Sequence, residues 1–154
     1  MKTFFLSIGS NIEPEKNIPA CLSLLKEKFG LKNISSIYES EPVGPCEGQK
    51  FWNLAVEIQT GLTRLELQAA LRKIEKILGR RRNSANKFAP RTIDIDLLPQ
   101  ENYQKLAFII VPLAEIAPQV KDEATGKLWK ALSREIKNSE RELKKIASTK
   151  QMGL

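Results

Sequence analysis

Phe51-Trp52-Asn53-Leu54-Ala55-Val56-Glu57-Ile58-Gln59 is the stretch on which the reading of this chain turns. Its side chains alternate with period two, which in an extended backbone sends Trp52, Leu54, Val56 and Ile58 to one face and Phe51, Asn53, Ala55 and Glu57 to the other. The first face is apolar throughout and is taken as core. The second sets an aromatic ring beside an amide. Two readings of that face stay open on spacing alone: a half-exposed sheet surface, or a ring-stacking surface with a polar group beside it.

Outward from this strand the pattern changes period. Thr63-Arg64-Leu65-Glu66 is a capping box, opening a helix whose Leu67, Leu71, Ile74 and Leu78 form one stripe, with Glu75 beside it and Gly79 as its stop. Upstream, residues 2–8 read as a first strand and Ser10 to Pro14 as a turn. A helix comes next with apolar positions Ile18, Cys21, Leu22, Leu25 and Phe29, and Asn33 to Ser40 reads as a second strand. Residues 41–48 are too rich in Pro and Gly to be regular. Downstream, the pattern predicts strands over Thr92–Leu98 and Ala107–Val111, a helical turn over Pro112–Ala117, and a helix marked by Leu128, Trp129, Leu132 and Ile136. Ser139-Glu140-Arg141-Glu142 offers a capping box for a charged terminal helix. Strands and helices interspersed in this order predict an α+β domain, a mixed sheet covered by helices. The division expected is a core over residues 1–120 and a basic helical segment over 121–154 packed on the same domain.

The 154 residues are enough for one domain with a sizeable core, and 42% apolar with 28% charged residues describes a soluble globular protein. No run approaches a membrane span. The apolar start, Thr3-Phe4-Phe5-Leu6, breaks at Gly9-Ser10-Asn11, too early for a signal peptide, so it reads as a strand of a cytoplasmic protein. Cys21 and Cys46 form no Cys-x-x-Cys, and the chain has no histidine, which argues against zinc and against a Cys-His nucleophile. Cys21 falls among apolar helix positions and reads as a small core residue. The net charge of +7 is concentrated toward the end, where residues 121–150 hold nine Lys/Arg against five Asp/Glu. A solvated helical face accounts for this. Aromatic residues are too sparse for an interleaved stacking platform, so a nucleic-acid module is the weakest reading.

Chemistry concentrates in Asp94-Ile95-Asp96. Carboxylates at i and i+2 on a strand share a face, roughly 7 Å apart along the backbone, while Ile93, Ile95 and Leu97 turn to the opposite, buried face. Just before it, Gly79-Arg80-Arg81-Arg82-Asn83-Ser84-Ala85-Asn86-Lys87-Phe88-Ala89-Pro90-Arg91 holds five cations and no carboxylate, with a composition that argues for a loop. Arginine forks grip phosphoryl oxygens bidentately, and Mg²⁺ takes one or two carboxylates plus substrate phosphates, so the pair and the loop together suit a Mg²⁺-polyphosphate. The plainer alternatives are a solvated basic loop, and aspartates that guard a sheet edge or pair with neighbouring arginines. Gly9-Ser10-Asn11 is too short for a P-loop, which argues against a P-loop kinase.

These residues, taken with several others in order, resemble the 6-hydroxymethyl-7,8-dihydropterin pyrophosphokinase family. The resemblance rests on Ile8-Gly9-Ser10-Asn11, Tyr38-Glu39-Ser40-Glu41-Pro42-Val43-Gly44-Pro45, Phe51-Trp52-Asn53-Leu54-Ala55, Ile74-Glu75, and Gly79-Arg80-x-Arg82. Its strongest block is Phe88-Ala89-Pro90-Arg91-Thr92-Ile93-Asp94-Ile95-Asp96-Leu97, and it ends on Phe108 and Val111 to Pro118. It implies a ferredoxin-like fold, mostly antiparallel with helices on both faces, in a monomer that transfers pyrophosphate from ATP to the pterin hydroxymethyl group and releases AMP.

By the same resemblance two Mg²⁺ ions would be held by Asp94 and Asp96, with Arg80, Arg82 and Arg91 on the phosphates. Glu75, Lys87, Phe88 and Ile95 would lie on the nucleotide side. The pterin would lie between Phe51 and Phe108, its edge read by Asn53 and by the chain near Ser40 and Val43. The chain departs from the family pattern after Asp96. A hairpin of about a dozen residues is missing, Gln100 stands at the family's histidine, Leu106 at an arginine, and Glu41 at a common proline. A pterin or nucleotide binder with weak or no turnover is therefore the alternative to an active enzyme.

Overall fold

The computed structural model describes residues 1–40, 50–79, 92–139 and 143–149. The alternating stretch around Asn53 forms β4 (Phe51–Thr60), which lies at the centre of the sheet. Antiparallel to it on one side runs β1 (Lys2–Ser10), flanked in turn by the edge strand β5 (Asp94–Leu97). On its other side are β2 (Gly30–Ile34) and β3 (Ile37–Ser40), and outward of β3 lies β6 (Lys144–Ala147). The six-stranded order is β5-β1-β4-β3-β6, with β2 pairing β4 beside β3, and each of these pairings is antiparallel.

Alternation in β4 is used on both faces. Leu54, Val56 and Ile58 join Leu6, Ile8, Ile95 and Leu97 in a core closed by α1 (Pro14–Lys28) and α2 (Arg64–Ile77). Ala55 and Tyr38 face the opposite side and belong to a second core with α3 (Ala107–Ile116) and α4 (Trp129–Ser139). Helices on both faces of a mostly antiparallel sheet match the architecture expected from the sequence. The capping box at Thr63 forms as read: Glu66 N–H donates to Thr63 Oγ1 at 3.2 Å, and Thr63 N–H to Glu66 Oε1 at 2.9 Å. Cys21 is a buried member of the first core.

Three expectations are corrected. Ala107–Val111 is the start of a helix rather than a strand, and the turn expected at Pro112–Ala117 belongs largely to that same helix, with Pro112 inside it. An apolar run without polar alternation has no legible period, and here burial against the second sheet face decides against its β-branched composition. The strand expected over Asn33–Ser40 breaks at Ser35-Ser36, where Ser35 Oγ accepts Ala55 N–H at 2.8 Å and donates to Ser36 O at 2.7 Å. A hydroxyl that serves the backbone locally competes with the ladder. Finally, residues 144–147 form a strand in place of the expected charged terminal helix: they pair with β3 and cover its edge, while 140–142 lie outside the described residues.

Candidate active site

The strand register assembles the site. Asp94 of β5 lies opposite Gly9 of β1, Gly9 opposite Asn53 of β4, and Asn53 opposite Tyr38 of β3. With neighbouring strands about 4.8 Å apart, the Asp94 and Asn53 backbones are separated by roughly 10 Å, two strand spacings. Gly9 lies between them. A Cβ there would come 3.4 Å from Asn53 Oδ1 and 3.6 Å from Phe51 Cδ1, so the missing side chain is what keeps the floor between carboxylate and amide low. One step along, Asp96 is opposite Ser7 and Ser7 opposite Ala55. Both aspartates are therefore on the same face as Asn53 and Ala55, and both are half-buried.

Asn53 is 4% exposed, and its amide is oriented by its surroundings. Nδ2 donates to Ser40 Oγ at 2.8 Å and more weakly to Tyr38 O at 3.3 Å. With the nitrogen engaged by β3, the side presented toward Gly9 is Oδ1, an acceptor. Tyr38 and the chain at Ser36 are themselves held by α3: Glu115 Oε1 accepts Tyr38 O–H at 2.6 Å, and Oε2 accepts Ser36 N–H and Oγ–H at 2.9 Å each. Burial, and then the bond to Glu115, push the Tyr38 phenol above its ordinary range.

On the aspartate side, Glu75 is 2% exposed. Its Oε2 accepts Ile95 N–H at 2.9 Å, and Oε1 pairs with Arg72 at 3.2 Å. Ser10 Oγ donates to Thr92 O at 2.6 Å, tying the entry of β5 to the end of β1. Thr92 Oγ1, two residues before Asp94, is buried without a hydrogen-bond partner among the described residues. Leaving a hydroxyl so costs about 1–3 kcal/mol, and active sites are where such a cost is tolerated.

Of the residues expected at the site, Asp94, Asp96, Asn53, Phe51 and Ser40 gather at one end of the same sheet face. Phe108 is half-buried at the start of α3, against the second core. Glu75 and Ile95 meet through the bond from the Ile95 backbone, and the Ile95 side chain is in the first core. Val43, Arg80, Arg82, Lys87, Phe88 and Arg91 lie outside the described residues. Gln100 comes after the turn that ends β5, and the Leu106 side chain packs on the second core. The Glu115–Tyr38–Ser36 contact was not foreseen from the sequence, because it joins residues 79 and 77 positions apart and leaves no local signal.

Two carboxylates on one face are hard oxygen donors, and among the described residues no group of three His, Cys, Asp or Glu gathers to form an all-protein cage. That donor set fits Mg²⁺, which keeps waters and completes its octahedron from substrate phosphates.

Comparisons with known proteins give the family and the fold. The chain is 35% identical to the 2-amino-4-hydroxy-6-hydroxymethyldihydropteridine pyrophosphokinase of Bacillus subtilis, over 79% of this chain and 82% of that protein. It is 32% identical to the protein of the same name from Pseudomonas aeruginosa, over 76% and 82% of the two chains. Among solved structures, the HPPK-DHPS complex with substrates superposes with a TM-score of 0.71 at 14% identity, covering 86% of this chain. The Plasmodium falciparum HPPK-DHPS gives 0.68 at 14% identity and 88% coverage. This chain spans 43% of each of those longer chains, and the likeness to them speaks for the fold. The description "7,8-dihydro-6-hydroxymethylpterin-pyrophosphokinase (HPPK)" matches residues 5–118, and with the register, the acidic pair and the relatives it establishes that the chain belongs to that family.

Proposed function

We propose that the Asp94–Gly9–Asn53 row is the reaction track of an ATP-dependent pyrophosphokinase, with the pterin ring at the Phe51–Asn53 end and the triphosphate at the Asp94–Asp96 end. The family's reaction requires a flat heterocycle held at one end and a reactive CH₂OH delivered at the other. The cross-strand row, with an acceptor amide and a carboxylate about two strand spacings apart over a glycine floor, is the observation that carries this reading. The pterin hydroxymethyl oxygen forms a bond to the β-phosphorus of ATP. The bond from that phosphorus to the α,β-bridging oxygen breaks, AMP leaves with the bridging oxygen, and the hydroxyl proton goes to a carboxylate or to solvent.

The chain's own contribution is positioning and charge. Asn53 Oδ1 would accept from an N–H on the pterin edge, assisted by the backbone near Ser40 and Val43, and Phe51 and Phe108 would stack the ring. Asp94 and Asp96 would hold Mg²⁺, two ions by analogy with the family, which supplies charge neutralisation on the phosphoryl oxygens when bound. Arg80, Arg82 and Arg91 are assigned to the phosphates. Lys87, Phe88, Ile95 and Glu75 are assigned to the nucleotide side, the last two through their mutual backbone contact. We assign the catalytic core to residues 1–120, with 121–154 as a basic segment packed on the same domain through α4 and β6, in a cytoplasmic monomer. Among the described residues no helix is long and apolar enough to cross a membrane.

The test is AMP release from ATP and Mg²⁺ that depends on 6-hydroxymethyl-7,8-dihydropterin. Folded protein that produces no pterin-dependent AMP would sink the proposal. A second reading, a binder without turnover, draws on Leu106, whose side chain is packed on the second core at a position where the family resemblance expects a phosphate-facing cation. Pterin binding by calorimetry without AMP formation would favour it, and efficient turnover excludes it.

A further inference from the structure

β5 has β1 on one side and, among the described residues, no strand on the other. Such an edge leaves backbone groups to be satisfied by something else. Ser7 pairs with Asp96, Gly9 with Asp94, and Leu98 N–H continues the ladder to Phe5 O at 3.0 Å. The alternation of an antiparallel ladder then turns the backbone groups of Ile95 and Leu97 away from β1. Side chains of α2 meet two of these groups, the Ile95 N–H and the Leu97 carbonyl. Glu75, near the end of the helix, takes Ile95 N–H. Arg64, its first residue, donates Nη1 to Leu98 O at 2.9 Å and Nη2 to Leu97 O at 3.1 Å and Pro99 O at 2.9 Å. Two side chains of the helix thus serve backbone groups of β5 and the residues after it, with one polar grip toward each end.

A cation in the first turn opposes the helix dipole, so Arg64 is poorly placed for the helix itself. Its fork converges instead on the three carbonyls that come after Asp96. A guanidinium has the fixed geometry to serve three diverging acceptors, and lysine lacks it. We infer that Arg64 is a positioning residue for the acidic pair: by fixing the chain at 97–99 it sets the direction in which Asp96 presents its carboxylate. The inference rests on the metal-holding role proposed above for Asp94 and Asp96.

Arg64→Ala and Arg64→Lys separate the possibilities. Three readouts are needed: backbone amide exchange at Asp96 and Leu98, Mn²⁺ titration by electron paramagnetic resonance with a non-hydrolysable ATP analogue, and steady-state kinetics. Arg64→Ala is expected to speed exchange at Asp96 and Leu98 about tenfold while leaving β4 protected. It should weaken Mn²⁺ binding by up to about tenfold and lower kcat with KM for the pterin nearly unchanged. That is no more than the low end of what losing a group bonded directly to a metal ligand costs, because Arg64 acts through the backbone that carries Asp96. Arg64→Lys should fall between, and it carries the same comparison if the alanine variant does not fold. Unchanged exchange at Asp96 and Leu98 overturns the clamp. Faster exchange with unaltered Mn²⁺ affinity and kcat overturns its link to the site. Should the unsubstituted protein bind no Mn²⁺ with the analogue, the metal reading of the aspartates fails, while the exchange comparison still decides the clamp.

Discussion

Asn53 shows how strand neighbours alone can fix the orientation of a single side chain. Its nitrogen is bound to Ser40 Oγ and Tyr38 O, which leaves Oδ1 facing Gly9, the orientation that the proposed pterin contact needs. Asn53→Ala is expected to raise KM for the pterin by at least about tenfold, with nucleotide affinity unchanged, because the role proposed for Asn53 Oδ1 is a bond to the pterin edge and the other bonds lost, to Ser40 and Tyr38, lie at that same end of the row. Steady-state kinetics with each substrate varied separately checks this. Replacing Asp94 and Asp96 together by Asn should abolish pterin-dependent AMP formation with the circular dichroism spectrum preserved, and surviving turnover would remove them from the reaction. Cys21 is the opposite kind of residue. Burial, and then the nearby Glu75 carboxylate, push its thiol up to about 12, so with Cys46 replaced by Ser the folded protein should resist alkylation near neutral pH and react at the rate of a free thiol only in denaturant. The acidic pair was legible because two like charges at i and i+2 have no use in a core. Arg64 had a weaker signal, a cation on the wrong end of a helix, and the Glu115 contacts had none.

At the scale of elements, β4 and α2 were readable because each has a clear period and, for α2, a cap. Leu54 is fully buried between α1, α2 and the sheet, and Leu54→Ala should destabilise by about 2–5 kcal/mol, measurable as a drop in the urea midpoint with unchanged slope. The start of α3 was read as a strand because Ile109, Ile110 and Val111 are β-favouring and consecutive, and nothing in the run says which side is wet. The answer is that almost none is: those three residues, Pro112 and Leu113 are all buried. Likewise β6 could not be foreseen from Lys144 and Lys145. Its reason for being a strand is the free edge of β3, a partner over a hundred residues away.

For the whole molecule, the two cores are separated by one layer of sheet and are closed by different helices. The second is anchored by a buried polar chain: Trp129 Nε1–H donates to Tyr103 O–H at 3.0 Å, and Tyr103 O–H to Asp122 at 2.8 Å. Burial raises the Asp122 carboxyl, but bonds from Thr125, Tyr103 and Ala124 outweigh it and hold the group below its ordinary value of 3.8. The charged form is thus favoured by folding, so its stabilisation is present above the unfolded value and is lost as pH falls through the folded one. Asp122→Asn should flatten the loss of urea stability as pH falls through the ordinary carboxyl value of 3.8 and below it. Tyr103 bounds the other side: burial, opposed in part by Trp129 and aided by Asp122, pushes it up to about 12. Its contribution is intact below the unfolded value near 10 and fades as pH rises through that interval.

Because one strand lines both compartments, β4 gives selection two unrelated reasons to keep neighbouring residues. Deep mutagenesis along 51–58 should return an interleaved record: soluble yield collapsing at 54, 56 and 58, and folate prototrophy failing at 51 and 53 while yield holds. A growth assay alone would merge the two into a single conserved block; pairing it with an abundance assay separates the residues that build this enzyme from those that use it.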